Sequence, residues 1–366
     1  MPKLALLADP HSTHTFKWVR NLSKQGYTIL LIGISDKTTD QYSGFKNVNC
    51  KCILVNKGAQ KQNFISFRNL KHFLKLRREI VNFNPDILHS FYASSYGFIG
   101  AICHIKPFVI SVWGTDIFEF PKKSFLHKRI IQYSLNKADK ICATGLGLKS
   151  EIEKYTNQKI EVIPFGIDTN YFKPFKKEIK AQIIIGTVKH FLPVYGIETL
   201  IRAIAIINKE NKNKKLKLLL VGDGPEKDNY IQLATNLGIL EDITFTGFVM
   251  NNQLIKQYQK MDLVVIPSLR ESFGISVLEG MSCEIPVIAS NISGFNEVGT
   301  NKTITYFEPG DSQDLMLKIK SFLNDNQPFI EKTQKARKRV IEHYSESASV
   351  LKKTKLYEQL LEEKVV

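Results

Sequence analysis

Two glutamates stand eight positions apart in PSLRESFGISVLEGMSCEIPVIAS, residues 267–290: Glu271 and Glu279, with Phe273 and Gly274 between them. A strand-like apolar run ends at Pro267 and a helical pattern begins near Phe273, which puts Gly274 in the first turn. The opening N–H groups of a helix have no acceptor within it and lie at the positive end of its dipole. The amides of Gly274, Ile275 and Ser276 therefore suit a phosphate or diphosphate. Eight residues at helical rise span roughly 12 Å, whereas a glycosidase holds its two carboxyls only about 5 to 9.5 Å apart across one scissile bond. The spacing fits a longer ligand, with a sugar at one end, a diphosphate over the helix start and a ribose at the other end. Each carboxylate can accept from vicinal hydroxyls. A helix cap plus a solvated glutamate is the plainer alternative.

A second stretch, LKLLLVGDGPEKDN, puts Gly222 and Gly224 between a strand and a helix. Glycine there permits a tight turn and close ligand approach. The third glycine of the dinucleotide fingerprint is missing, and no Gly-Lys-Ser/Thr follows. An ordinary strand-to-helix turn explains these glycines equally well.

Such residues need a scaffold that gathers them. KLALLA, TILLIGI, CILV, DILHS, FVISVW, DKICAT and IEVIPF read as strands with amphipathic segments between most of them, the βαβ pattern of a parallel sheet. Residues 166–182 break the pattern with a proline and a lysine cluster, as a linker between domains does. The alternation restarts with IIIGTV, LKLLLVG, ITFTGF, LVVIP, PVIAS and TITYF. The expected fold class is α/β, with two Rossmann-like domains facing a cleft and ligands at the carboxyl ends of the strands. The expected boundaries are 1–165 for the first domain, joined by a C-terminal helix over 346–366, and 166–345 for the second.

At 366 residues the chain has room for two cores. Its composition, 43% hydrophobic and 23% charged, is globular. Five cysteines, without zinc-ligand spacing around Cys50 and Cys52, argue against both a disulfide framework and a metal site. The apolar run that opens MPKLALLADP is too short for a secretion signal or a membrane span. A cytoplasmic protein is expected. The net charge of +16 is unevenly spread: residues 1–165 carry 24 basic against 11 acidic side chains, and residues 166–366 carry 27 against 24. The first half is thus suited to an anionic partner. Nucleic acid is not expected, because no recognisable reading module accompanies the charge.

Taken together, these blocks resemble the family 4 glycosyltransferases, the retaining, nucleotide-sugar-dependent enzymes of GT-B fold, over nearly the whole chain. The resemblance rests on Glu271 and Glu279 with SFG between them, PVIAS followed by Ser293, Gly294 and Glu297, VGDGP at 221–225, TGFV at 246–249 and IPFGID at 163–168. It implies transfer of a sugar from a nucleoside diphosphate, most often UDP, without a catalytic metal. It also implies that Glu271 holds the donor sugar, that Glu279 binds the ribose hydroxyls, and that the Gly274–Ser276 amides meet the diphosphate or sugar. Base contacts would fall around Phe248 and Val249. The family's front-face route needs no side-chain nucleophile.

Departures from the family pattern shape the remaining expectations. Of its basic pair for the diphosphate, Lys189 stands at or near the first position, while Tyr195 stands where lysine usually precedes Gly196. Lys189, His190 and the helix amides are left to neutralise the leaving group. The family's His-Gly-x-Asp reads Trp113 to Asp116, so a general base at the first position does not carry over. Asp116 is either a sugar or acceptor contact or a buried loop cap. His11, Ser12, Thr13 and His14 either face the acceptor or cap the helix that begins near His14.

The acceptor is expected to be a glycan or lipid-linked molecule, with a role in cell-surface polysaccharide or glycoconjugate synthesis. Residues 67–83 read as an amphipathic helix, with Phe67, Leu70, Phe73, Leu74 and Val81 on one face and Arg68, Lys71, Lys75 and Arg78 largely opposite. Such a helix either lies on the inner face of an anionic membrane or is an ordinary solvated surface helix. Two other readings stay open: another GT-B enzyme such as a nucleotide-sugar epimerase, and a non-catalytic module that binds sugar nucleotides or membranes.

Overall fold

A computed structural model describes residues 1–35, 37–53, 70–176, 182–210 and 216–365. The chain divides into two compact units, one of residues 1–165 with 349–366 and one of residues 166–348.

In the first unit the strands are β1 (Lys3–Leu7), β2 (Thr28–Ile34), β3 (Val48–Ile53), β4 (Ile87–Phe91), β5 (Phe108–Val112), β6 (Lys140–Ala143) and β7 (Ile160–Val162). They form one parallel sheet in the order β3-β2-β1-β4-β5-β6-β7. The continuous apolar runs follow from burial on both faces. In β1, Ala5 and Leu7 join a core with Leu76, Ile80 and Leu135 on one side, while Leu4 and Leu6 join Val350, Leu356 and Tyr357 of the C-terminal helix Glu346–Val365 on the other.

The second unit contains β8 (Ile184–Val188), β9 (Lys217–Val221), β10 (Ile243–Phe245), β11 (Leu263–Ile266), β12 (Val287–Ser290) and β13 (Thr305–Phe307), again parallel, in the order β10-β9-β8-β11-β12-β13. This is the Rossmann order, whose direction reverses between β8 and β11. Loops leaving the carboxyl ends of those two strands diverge and leave a crevice for a ligand. Residues 166–176, at the start of the second unit, are tied to it. Ile167 bridges to Ser345, and the Phe172 carbonyl accepts from Ser282 Oγ at 2.6 Å and from Arg337 at 3.2 Å. Residues 177–181 lie outside the described residues.

The helix Leu70–Phe83 corrects the face expected of residues 67–83. Leu76 and Ile80 are fully buried, with Phe73 and Phe83 packed against the same core, whereas Leu74 and Val81 are exposed. The pattern contains two partial apolar stripes, and the stripe with the larger burial faces the sheet. Residues 67–69 lie outside the described residues. Among the described residues, no helix is long and apolar enough to cross a membrane.

The C-terminal helix carries buried polar groups into the first unit. His89 on β4 meets Tyr357 Oη through Nδ1 at 2.5 Å and Ser111 Oγ through Nε2 at 2.9 Å, and Lys353 Nζ donates to the same Ser111 Oγ at 2.9 Å. Burial, reinforced by the Lys353 charge, holds the His89 pKa well below its ordinary 6.5. The unfolded chain therefore binds a proton on acidification that the folded chain refuses, so this contribution is present above pH 6.5 and is lost as pH falls below it. Between pH 7 and 5 the wild type is expected to lose about 2 kcal/mol more stability than His89→Gln. Denaturant unfolding of both proteins across that range checks this, and parallel curves would contradict it.

Candidate functional site

Four loops at the carboxyl edge of the second sheet bring together most of the singled-out residues. The loop after β8 is laced to the loop after β9: Lys189 N donates to the Val221 carbonyl at 3.0 Å and Phe191 N to the Asp223 carbonyl at 2.9 Å. That lacing explains the two glycines. Gly222 and Gly224 have φ of +141° and +157°, and a Cβ on either would lie 1.9 Å from the Lys189 carbonyl oxygen or 2.5 Å from that of Phe191. Gly222 also donates to the Gly247 carbonyl at 3.1 Å, which sets the loop after β10 beside this turn. In that loop Phe248 is 79% exposed and Val249 half-buried, while His190 in the first loop is exposed. Gly222→Ala is expected to destabilise the protein by about 2 to 4 kcal/mol, the scale of a strained backbone with a steric clash. A denaturation midpoint equal to that of wild type would contradict this close approach.

The loop after β11 supplies the paired carboxylates. The helix begins at Ile275, later than the pattern near Phe273 suggested, because Gly274 caps it in the left-handed region at φ +92°. The helix Ile275–Ser282 therefore contains Glu279 but not Glu271, and a single helical rise does not set their separation. Ser276 Oγ donates to the Val188 carbonyl at 2.8 Å, pinning the helix start to the end of β8. On the covered face, Gly280 lies against Val264 of β11 and Val287 of β12. The amides at the helix start thus sit where the strand order reverses.

Glu271 is held from two sides. Its backbone packs so closely on Gly294 that a Cβ there would lie 2.2 Å from the Glu271 carbonyl oxygen. Its carboxylate accepts from Lys189 Nζ, in an ion pair whose side chains are only 8% (Lys189) and 16% (Glu271) exposed. The same ammonium lies 4.8 Å from the centre of the Tyr195 ring and 6.0 Å from that of Phe295. Attraction to the ring face adds to the ion pair. Burial, then the Glu271 charge, raises the Tyr195 pKa, so its hydroxyl stays protonated at neutral pH. Tyr195 thus brings no second cation but helps confine the one present.

Glu279 is buried and accepts from Tyr258 Oη at 2.8 Å. Burial, then Glu279, drives the Tyr258 pKa well above 10, so the tyrosine acts as a donor. Nothing in the local sequence around Tyr258 marks this partnership. Sequence reasoning also passed over three buried hydroxyls at this edge, those of Thr187, Ser268 and Ser290, which find no hydrogen-bond partner among the described residues. An unpaired buried hydroxyl costs about 1 to 3 kcal/mol. All three lie at or just beyond the carboxyl ends of β8, β11 and β12.

The first unit has its own cluster at the carboxyl ends of its strands. Asp116 is buried, and its carboxylate accepts from the amides of Ala93 (2.7 Å), Gly114 (2.8 Å) and Trp113 (3.2 Å). Burial raises its pKa, against the opposing pull of those amides. These bonds tie the loop after β4 to the loop after β5, the geometry of a loop cap. Trp113 packs with Phe91, Tyr92, Phe165 and the edge of His14. His14 also stacks on Phe165, with ring centres 4.1 Å apart, and burial with the nearby Lys17 charge lowers its pKa to about 4. Ser12 occupies the N-cap of the helix Thr13–Lys24 but its side chain makes no capping bond, and His11 instead meets Ser35 Oγ at 3.1 Å.

Comparison with known proteins follows the same division. Residues 170–343 match the family model of glycosyl transferases group 1, and residues 3–145 match that of glycosyl transferase 4-like proteins. The chain is 28% identical over 295 residues to N-acetyl-alpha-D-glucosaminyl L-malate synthase of Bacillus anthracis, covering 76% of each chain. Its fold is similar to that of sucrose-phosphate synthase from Thermosynechococcus elongatus, with a TM-score of 0.79 and 19% identity over 99% of this chain and 100% of that one. It is also similar to Anabaena HepE in complex with UDP and glucose, with a TM-score of 0.78 and 19% identity over 98% and 100% of the two chains. With two Rossmann-like units and a family match in each, the chain belongs to the group 1 glycosyltransferases of GT-B fold.

Proposed function

We propose that the protein is a retaining transferase that moves a sugar from a nucleoside diphosphate, UDP, to a glycan or lipid-linked acceptor in cell-surface polysaccharide or glycoconjugate synthesis. The observation that carries this reading is the Lys189–Glu271 pair beside the start of the helix that contains Glu279, at the point where strand order reverses. In this reading the diphosphate lies over the amides of Gly274, Ile275 and Ser276, with Lys189 and His190 supplying positive charge. Glu279, oriented by Tyr258, accepts from the ribose hydroxyls. Phe248, Val249 and the turn at Gly222 and Gly224 border the base. Glu271 accepts from the donor sugar, and Asp116 acts by holding the acceptor-side loops after β4 and β5 in shape.

The donor carbon–oxygen bond loosens while positive charge builds on the sugar and negative charge on the diphosphate. The acceptor hydroxyl enters from the departing side and gives its proton to the diphosphate. This route needs neither a side-chain nucleophile nor a divalent metal, because the cation and the helix dipole meet the developing charge. The UDP and glucose bound to the structurally similar HepE support the choice of UDP. Residues 1–165, with 24 basic against 11 acidic side chains, support an anionic acceptor, a class that includes lipid-linked phosphates.

Calorimetry with UDP, GDP and ADP, with and without magnesium, tests the donor assignment. The expected result is metal-independent binding of UDP, weakened by about 1.5 to 3 kcal/mol in Glu279→Ala, the scale of a hydrogen bond to a charged group. Unchanged affinity in that variant would remove Glu279 from the donor site. Binding of no nucleotide would favour a non-catalytic module.

A further inference from the structure

The helix Phe125–Lys137 buries Ile130, Ile131, Ser134 and Leu135 against the first unit and turns its other face outward. On that outer face Phe125 is 71% exposed and Leu126 63%, with Tyr133 also exposed. Large apolar side chains side by side at such exposure are unusual on a soluble surface without a partner. Their surroundings are strongly basic. Residues 119–129 contain Lys122, Lys123, Lys128 and Arg129 against the single acid Glu119, and all four cations are exposed. Three of the aromatic rings carry a cation: Arg129 lies 4.9 Å from the centre of the Phe125 ring, Lys137 5.7 Å from Tyr133 and Lys123 6.0 Å from Phe120. Long basic side chains lying over aromatic rings match an interface in which rings enter the headgroup layer and the charges stay among anionic groups.

We propose that this surface, Phe125, Leu126 and Tyr133 framed by Lys122, Lys123, Lys128 and Arg129, docks the protein on a bilayer carrying anionic headgroups. Charge complementarity selects that occupant, because a bilayer offers a dense anionic plane with an apolar layer just beneath it. The segment follows the Trp113–Asp116 loop along the chain, so docking holds the acceptor-side loops of this unit at the membrane surface. The helix Leu70–Phe83 is the rival surface. It commits Leu76 and Ile80 to the core and leaves Leu74 and Val81 exposed seven residues apart.

Co-sedimentation of the full chain with vesicles tests the proposal, using phosphatidylcholine alone and phosphatidylcholine mixed with phosphatidylglycerol. Binding is expected only to the anionic vesicles, and it should decline with added salt. Phe125→Ser with Leu126→Ser should weaken it about tenfold through lost apolar insertion. Replacing Lys122, Lys123 and Lys128 by Gln should weaken it by more than that, at about fivefold for each cation removed. Leu74→Ser with Val81→Ser should bind as wild type. Circular dichroism and denaturant unfolding of the same variants show that the first unit is folded, and nucleotide calorimetry reads the donor site of the second unit separately, because docking requires no nucleotide. The proposal is overturned by wild-type vesicle binding in Phe125→Ser/Leu126→Ser, by equal binding to neutral vesicles, or by a loss confined to Leu74→Ser/Val81→Ser. It is also overturned if the protein self-associates without lipid and Phe125→Ser/Leu126→Ser abolishes that association, which would assign the surface to a second copy.

Discussion

Glu271→Gln is expected to lower transfer by about 10² to 10³ while nucleotide affinity changes by less than about threefold. The substitution keeps shape and removes charge. In the proposed site the carboxylate faces a sugar on which positive charge grows as the bond to the diphosphate loosens, so its effect is largest in the transition state. The nucleotide is spared for a structural reason. Glu271 holds the Lys189 ammonium in a largely buried pair, and a neutral glutamine releases that cation to meet the diphosphate. Steady-state kinetics with the donor and calorimetry with the free nucleotide measure the two quantities. Equal losses in both would show that Glu271 acts on the nucleotide, and an unchanged kcat would remove it from the reacting centre.

Much of the scaffold was legible because buried parallel strands are written as short apolar runs, and the runs read as strands fall on strands, CILV only at Cys52 and Ile53 of β3, its last two residues lying outside the described residues. The reversal of strand order between β8 and β11 puts Lys189 and the 267–274 loop at the same crevice, a consequence of topology. Partnerships were less accessible. Lys189 and Glu271 are 82 residues apart in sequence, and Tyr258 lies 21 residues before Glu279, so no local periodicity could pair them. The loss of the second basic residue at Tyr195 was visible in sequence, but the use of its ring to confine Lys189 was not. The 67–83 segment failed for a different reason. Its pattern offers two faces, and only packing shows that Leu76 and Ile80, rather than Leu74 and Val81, meet the sheet. Asp116 was open between two roles, and its three backbone donors favour the loop cap.

Lys189→Met is expected to reduce transfer by about 10³ or more and also to lower stability by about 3 kcal/mol. The two effects have different origins. Without the ammonium, Glu271 is left as a largely buried carboxylate that has lost its cation, which is the costly way to break such a pair. The diphosphate of the proposed site meanwhile loses the cation set against it, and Tyr195 beside that cation supplies no charge in its place. Combining Lys189→Met with Glu271→Gln separates the effects, because it removes the stranded charge without restoring the cation. Unfolding stability should recover most of the loss in the double variant, giving a coupling energy of roughly 1 to 3 kcal/mol, while transfer stays at or below the level of the weaker single variant. Lys189→Arg should keep the stability and restore part of the rate, since charge is retained but the guanidinium fork replaces a compact ammonium. Recovery of both stability and transfer in the double variant would mean that Lys189 serves only to neutralise Glu271. No recovery of stability would mean that the ion pair is not what Lys189 contributes to the fold.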